Sequence, residues 1–466
     1  MGRMRAPLTV ILLLVSAALT AFSAAALPFY FRTDRVTLPV ITAVLWLLFA
    51  AALWSLRGVH GRKAVTIVLL GAVAIGGAAL AGPPNTSTDS ARYAWDGIVQ
   101  NAGVSPYAHV PADPALAELR TDWLFPPSVD GGCDGERVMT FEEVGTGEVL
   151  CSTINRATVP TIYPPVAQAA FAAVRWLVPV EAQYQPMQVL GLLISLAVTG
   201  LLLRALHRAG RDPRWAALWA WCPLVATEAV TNSHIDALGA LLLVLATMAA
   251  ASNRRWLAGI ALGASVATKL IPVIGAPALA RPGWWRTALA AVAVFLLVYV
   301  PAVLSDGPGV LGYLPGYLSE EGYESGERFI MLSWLAPGLG ATLLAAALIA
   351  VAAVLVWRKT DPADPWLGQL VMIGVVLLVV TPRYPWYALL LLPMIAMTGR
   401  WEWLLVPLAL TERLLFPDVP AARLAVVLAV VGIVVGTVRR AQPGWHLRAL
   451  REIRNPFRGP ISHEKT

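Results

Sequence analysis

Charge is what this 466-residue sequence has little of. Asp, Glu, Lys and Arg make up 14% of it, against roughly 25% in soluble domains, which is too few to cover a water-facing surface. Cysteine is also scarce, at three residues, so a secreted disulfide scaffold is excluded. No internal repeat is visible, and the two halves share no matching pair of broken segments, which counts against an inverted-repeat transporter. What is present instead is apolar sequence: 58% hydrophobic residues and a mean hydropathy of +0.66. Long apolar runs recur from Val10 to Val438, so the solvent is partly lipid. A cytosolic enzyme and a disordered tail are excluded with the scaffold.

The apolar runs place spans near residues 8–29, 37–56, 64–82, 186–204, 215–231, 237–252, 287–304, 338–357, 366–382, 385–398, 402–416 and 421–438. Several fall short of the roughly 20 residues a helical crossing needs. The expected class is an all-α polytopic membrane protein with about twelve transmembrane helices. Its parts are an N-terminal three-helix segment (1–82), a loop with interfacial helices (83–185), a membrane core (186–438) and a basic tail (439–466).

The net charge of +7 follows membrane topology and points to no nucleic acid. With the N-terminus inside, Arg3 and Arg5, Arg57/Arg62/Lys63, Arg204 to Arg214, Arg254/Arg255, Arg281/Arg286, Arg358/Lys359, Arg400 and the tail collect 23 of the 35 basic residues on one side. That is the positive-inside pattern, and it puts both termini in the cytoplasm of a plasma-membrane protein. The two long segments assigned to the other side were not used to set it. Residues 85–160 hold 11 Asp or Glu against 4 Arg, and residues 305–328 hold 5 against 1; both are acidic, as outer segments should be.

Residues 161–180 are apolar enough to span, yet a crossing there would move the basic stretch 204–214 outside. They are expected to form an interfacial or re-entrant helix with Pro164-Pro165 at its start. Residues 256–280 carry basic residues on both flanks, so a broken re-entrant hairpin bent near Pro272 is expected, with Lys269 inside the membrane. The first span has Arg3 and Arg5 ahead of it and Ala24-Ala25-Ala26 near its end, as a cleaved signal does; its apolar run is long for one, and an uncleaved anchor is expected. Cys133 and Cys151 share the outer loop, where a bond closing about 20 residues would contribute roughly 3 kcal/mol; two unpaired thiols are the alternative. Cys222 lies in a span as packing. Tail residues 444–458 fit a helix lying on an anionic leaflet.

Polar groups at membrane depth or at its edge are costly and therefore candidates for function. If Asp89 to Gln100 is helical, Asp89, Arg92 and Asp96 share one face, with Thr86 or Ser87 as N-cap; the ordinary account is a solvated helix whose Arg92 pairs with both carboxylates. A second cluster, Glu228, Asn232, His234 and Asp236, falls on the same side of the membrane. HxD alone is weak metal evidence, since zinc needs a third and usually a fourth ligand. A third cluster places Arg383, Tyr384, Trp386 and Tyr387 at the junction of two spans. An aromatic belt explains the rings, while Arg383 runs against the positive-inside bias and suits an anionic ligand such as phosphate. Glu412 and Arg413 read as an internal ion pair. Lys269 either binds a lipid phosphate or snorkels to the cytoplasmic edge. Three outer-face clusters of carboxylates, His and Arg make an inventory for a lipid-borne anionic substrate.

The segments STDSARYAWDGIVQNAGVSPY, PADPALAELR, INRATVPTIYPPVAQAAF, NSHIDALGALL, ATKLIPVIGAP and PRYPWYALLLLP together resemble the actinobacterial polytopic glycosyltransferases of the GT-C superfamily, in the polyprenol-phosphate-mannose-dependent mannosyltransferase-like group. The resemblance runs in order over roughly residues 80–400. It implies a GT-C-like fold and transfer of a sugar, with mannose the first choice, from a polyprenyl-phosphate donor to a cell-envelope glycan or glycolipid acceptor. Catalysis would be extracytoplasmic and inverting. Matching the D-x-x-R-Y segment carries the family's general base to Asp89, with Asp96 positioning the acceptor or a cation. Many relatives present this acid directly after the first span, which makes Asp34 a rival.

On that reading Arg383, with Lys269 or Arg413, holds the phosphate, and His234 and Asp236 orient acceptor or phosphate. Arg92, Tyr93, Glu228, Asn232 and Tyr384 complete the binding set. Trp95, Trp386 and Tyr387 form stacking walls for sugars. No complete metal ligand set is visible in the sequence, and a divalent cation, Mg or Mn, stays open as cofactor. Arabinose, glucose or galactosamine donors are alternatives to mannose. A lipid-linked sugar transporter or flippase and a non-catalytic assembly subunit are the competing classes.

Overall fold

A computed structural model describes residues 5–27, 36–135, 137–281 and 283–441. The chain is a helical bundle capped at one end by the segment 83–185. The helices used below are α1 (Arg5–Ala26), α2 (Thr37–Leu56), α3 (Arg62–Ala78), α4 (Asp89–Asn101), α5 (Pro165–Trp176), α6 (Gln185–Arg208), α7 (Asp236–Ala251), α8 (Arg255–Val266), α9 (Trp284–Asp306), α10 (Leu314–Glu320), α11 (Leu339–Lys359), α12 (Trp366–Val380), α13 (Leu405–Leu415) and α14 (Val419–Ala441).

Among the described residues, α1, α2, α6, α9, α11 and α14 are long and apolar enough to cross a membrane, with a seventh if the bent pair Val225–Thr231 and α7 counts as one span. Hydropathy suggested about twelve, and the difference lies in helix continuity. The run 215–231 breaks into a 3-10 turn, a four-residue α-helix and the π-helix Val225–Thr231. The runs 385–398 and 402–416 each open with a 3-10 turn, and α3 and α12 have 17 and 15 residues. The run 385–398 is apolar because it is buried among other helices: Leu389 to Leu392 and Met394 to Met397 are almost wholly enclosed, whereas α3 leaves Leu70 and Val73 exposed.

The expected break in 256–280 is present. Helix α8 ends at Val266, and the chain resumes as a 3-10 turn, Ile271–Gly275, with Pro272 in it and Lys269 in the gap. Helix α7 connects to α8 through Ser252 to Arg254, so α8 returns toward the end where α7 began, and Lys269 reaches Asp236.

Segment 83–185 has a small apolar core of its own, built from Trp95, Ile98, Leu116, Leu124, Phe125, Ile154 and Tyr184. Strands β1 (Met139–Glu142) and β2 (Val149–Ser152) pair antiparallel, with Thr140 opposite Cys151, and Cys133 is bonded to Cys151. Helix α5 starts at Pro165, where the missing N–H costs nothing, directly after Pro164. It packs on α4 at Gly97, where a Cβ would come within 2.5 Å of the Phe171 carbonyl oxygen. Asp34 and tail residues 444–458 lie outside the described residues.

Candidate active site

Helix α4 begins at Asp89, so its carboxylate sits at the N-terminal end of the helix, where the first backbone N–H groups have no partner within it. Thr88 takes the N-cap position without a side-chain bond; the Ser87 hydroxyl instead accepts from the Asp89 N–H at 3.1 Å. The segment ahead of Asp89 is held by Asn232, whose Oδ1 accepts from the Asn85 and Thr86 N–H groups (2.9 and 3.0 Å) and whose Nδ2 donates to Thr86 Oγ1 (2.8 Å). Asn232 therefore anchors the start of α4 and does not reach the cavity.

Arg92 does not bridge two carboxylates. Its Nε donates to Asp96 Oδ1 at 2.8 Å and its Nη1 to the Val159 carbonyl at 3.1 Å. Asp96 is buried, and its Oδ2 accepts from Thr161 Oγ1 (2.6 Å) and Gln168 Nε2 (2.9 Å). This carboxylate ties α4 to the stretch 156–168 and has little capacity left for an acceptor. Asp89 is set differently. Asn155 Nδ2 donates to its Oδ1 at 2.8 Å, the Tyr163 hydroxyl donates to its Oδ2 at 3.3 Å, and the carboxylate lines a cavity of about 940 Å³.

Behind Asp89 lies the second cluster. His234 is buried, with Nδ1 3.6 Å from Asp89 Oδ2 and Nε2 3.2 Å from Glu228 Oε2. Its ring stacks on Trp386 (3.7 Å between centroids), which stacks in turn on Tyr384 (4.5 Å). Glu228 belongs to the π-helix, and Ser233, just before His234, is left-handed at φ 54°. Thr381, two residues before Arg383, is left-handed at φ 46°. Strained backbone of this kind costs of order 1–3 kcal/mol and is held only where the surroundings over-determine it.

Lys269 does not snorkel away. Its Nζ donates to Asp236 Oδ2 at 2.6 Å, lies 4.7 Å from the Tyr387 ring centre, and lines the cavity. Arg383 and Arg413 line it too, and neither forms an ion pair among the described residues. The expected Glu412–Arg413 pair is absent, because consecutive helical residues diverge by about 100° and cannot face each other; Glu412 Oε2 and Arg413 Nη1 are both left without a hydrogen-bond partner. The rest of the cavity is largely apolar, with Ile271, Ile274, Val376, Leu377, Val380 and Leu414 in its wall.

Six residues of the expected binding set, Tyr93, Trp95, Glu228, Asn232, His234 and Asp236, do not line the cavity, whereas Arg92 does. Trp95 faces the loop core against Phe125, on the far side of α4 from Asp89. Tyr93 is enclosed by Phe171 and Tyr163. Trp386, Tyr387 and Tyr384 do line the cavity, whereas Glu228, His234 and Asp236 stand behind its wall. Sequence reading missed Asn155, Arg156, Tyr163, Tyr317 and Arg328, all of which line it. Arg328 pairs with Glu321. Arg156 pairs with Glu320 at the end of α10, and the Tyr317 hydroxyl meets that of Tyr387 at 2.9 Å, so α10 closes one side. Burial works to raise the Glu320 carboxyl, but the Arg156 contact outweighs it and holds the group below its ordinary range.

Among the described residues no group of three or more His, Cys, Asp or Glu is arranged to hold a metal ion. Asp89 is turned to Asn155 and Tyr163 and Asp236 to Lys269, so this donor set does not fit a protein-held divalent cation.

A carboxylate that lines the same largely apolar cavity as two guanidiniums without an ion pair among the described residues is suited to a reaction between a hydroxyl and an anionic lipid. The comparisons with known proteins agree with that chemistry. The family model of glycosyltransferase family 87 matches residues 161–382. The chain is 28% identical over 267 residues to the polyprenol-phosphate-mannose-dependent alpha-(1-2)-phosphatidylinositol pentamannoside mannosyltransferase of Mycobacterium tuberculosis, covering 54% of this chain and 57% of that protein. It is 42% identical over 90 residues to GPI mannosyltransferase 1 of Gibberella zeae, covering 18% and 20%. The matches thus span about a fifth and just over half of these relatives. No solved structure matches the chain. The chain is thus similar in part to membrane mannosyltransferases and to a glycosyltransferase family, and it carries the apolar helices of a multi-pass membrane protein.

Proposed function

We propose that the protein transfers a sugar, mannose first, from a polyprenyl-phosphate donor to a hydroxyl of a cell-envelope glycan or glycolipid, on the extracytoplasmic face of the plasma membrane. The observation that carries this is the position of Asp89, at one edge of an apolar cavity whose lining also holds Lys269, Arg383 and Arg413. The mannosyltransferase relatives support the choice of sugar and of lipid-linked donor. The acidity of 85–160 and the Cys133–Cys151 bond support the outer location, since disulfides persist in oxidising compartments.

In this reading the apolar wall takes the polyprenyl chain. Arg383 and Arg413 meet the phosphate, and Lys269 supports them across the cavity. The acceptor hydroxyl lies against Asp89, which takes its proton as the oxygen attacks C1 of the sugar. The bond between C1 and the phosphate oxygen breaks with its electron pair staying on the phosphate, and the configuration at C1 inverts. General-base help is typically worth 10²–10⁴-fold, and guanidiniums aimed at the departing phosphate stabilise charge that grows in the transition state. Asn155 and Tyr163 hold the base in place, His234 lies between it and Glu228, and Tyr384 and Trp386 give the sugar an aromatic wall.

The test is sugar transfer by the purified protein from polyprenyl-phosphate-linked mannose, arabinose and glucose to membrane glycolipid extract. Transfer from mannose above the other two is expected. Absence of transfer from all three donors, with donor binding intact, would overturn the enzyme reading in favour of lipid transport.

A further inference from the structure

The opposite end of the bundle carries a second, separate cavity of about 560 Å³, where α6, α7 and α8 meet. Its rim is made by Arg204 and Arg208, one turn apart on α6, and by Arg254 in the turn that links α7 to α8. Met248, Ala249 and Leu257 form its floor.

The carboxylates at this end are committed elsewhere. Asp212 pairs with Arg214, Asp364 with Arg211, and Glu402 with Arg440, while Asp361 accepts from the Ala363 N–H. Arg204, Arg208 and Arg254 are exposed, and their side chains form no hydrogen bond or ion pair among the described residues. Arg255, by contrast, is turned inward and bonded to Asn253. Three guanidiniums around one concavity with no counter-charge of their own call for an anion, and their planar forks match phosphate oxygens.

The surroundings select the kind of anion. Trp256 and Trp285 meet edge to face at 5.9 Å beside the cavity, and both are exposed together with Trp284. Exposed tryptophans of this kind sit at the headgroup level of a bilayer. Below the rim, Leu257 and Ile260 present an exposed apolar strip on α8. Any phosphate here faces the negative ends of α6 and α7, and a free phosphate would have only the arginines to set against them. A lipid adds the apolar strip, which takes an acyl chain. We infer that this cavity binds an anionic glycerophospholipid, with its phosphodiester held by Arg204, Arg208 and Arg254 and its acyl chain on Leu257 and Ile260.

The test uses the full-length protein in nanodiscs of phosphatidylcholine doped with phosphatidylglycerol, with native mass spectrometry reading the lipid retained on release. The wild type is expected to keep phosphatidylglycerol over phosphatidylcholine. Arg204→Gln/Arg208→Gln/Arg254→Gln should lose that preference by roughly 10²-fold, and Arg208→Gln alone by about fivefold, as basic groups near an anionic headgroup contribute individually. Arg281→Gln/Arg286→Gln/Arg358→Gln removes the same charge from the same end outside the cavity and should keep the preference. Equal loss in both triple variants would overturn the site in favour of diffuse charge attraction. Displacement of the lipid by soluble glycerol phosphate would overturn the lipid reading in favour of a free phosphate ligand.

Discussion

Lys269 donates to Asp236 at 2.6 Å across 33 residues of sequence, joining the break after α8 to the first residue of α7. Asp236 is fully buried and Lys269 is partly open to the cavity. Removing one partner of such a pair strands a charge. Lys269→Gln is therefore expected to cost about 3 kcal/mol, the lower part of the range for buried pairs, and Asp236→Asn/Lys269→Gln to recover most of it. Thermal unfolding in detergent measures both.

Asn232 should behave as an anchor. Asn232→Ala leaves the Asn85 and Thr86 N–H groups and Thr86 Oγ1 without their partner in a buried place, at about 1–3 kcal/mol for each unsatisfied group. Protease sensitivity should rise first around residues 85–90, and transfer should fall with it. Unchanged cleavage there would contradict the anchoring role.

The Cys133–Cys151 bond should stabilise the loop alone. Cys133→Ser/Cys151→Ser is expected to lower the stability of segment 85–160 by about 3 kcal/mol, read as faster cleavage between residues 125 and 150. The helices should stay resistant, because the loop core around Trp95 and Phe125 is separate from the bundle core.

The Arg156–Glu320 tie has a defined pH sense. The folded carboxyl is held below its ordinary value, so its contribution is complete above about pH 4.3, the unfolded value, and is lost as pH falls through the lower folded value. Closure of α10 should thus be constant from pH 5 to 8. Because the pair is partly exposed, Glu320→Gln should cost no more than about 1 kcal/mol. Hydrogen exchange on residues 314–320 across that pH range checks it.

Local pattern made part of this legible. Helix α4, the start of α5 at Pro165, the break holding Lys269 and the cysteine pair all follow from short-range rules. The count of about twelve spans is not confirmed by the six or seven long apolar helices among the described residues, because hydropathy cannot see that 385–390 winds as a 3-10 turn. The period of α4 could have removed Trp95 from the site, since six residues at 100° each turn it away from Asp89. The partners of Asp96, 65 and 72 residues away, and the closure by Arg156 and Glu320, 164 residues apart, arise only in the folded chain.

The central claim is that Asp89 is the base and Asp96 a structural tie, and paired substitutions test it most directly. Transfer from radiolabelled polyprenyl-phosphate-mannose is measured for wild type, Asp89→Asn, Asp96→Asn and Asp34→Asn, with thermal unfolding in parallel. The expected result is a loss of at least about 10²-fold in Asp89→Asn at an unchanged melting temperature, a lowered melting temperature in Asp96→Asn, and wild-type transfer in Asp34→Asn. Wild-type transfer by Asp89→Asn, or loss confined to Asp34→Asn, would contradict it.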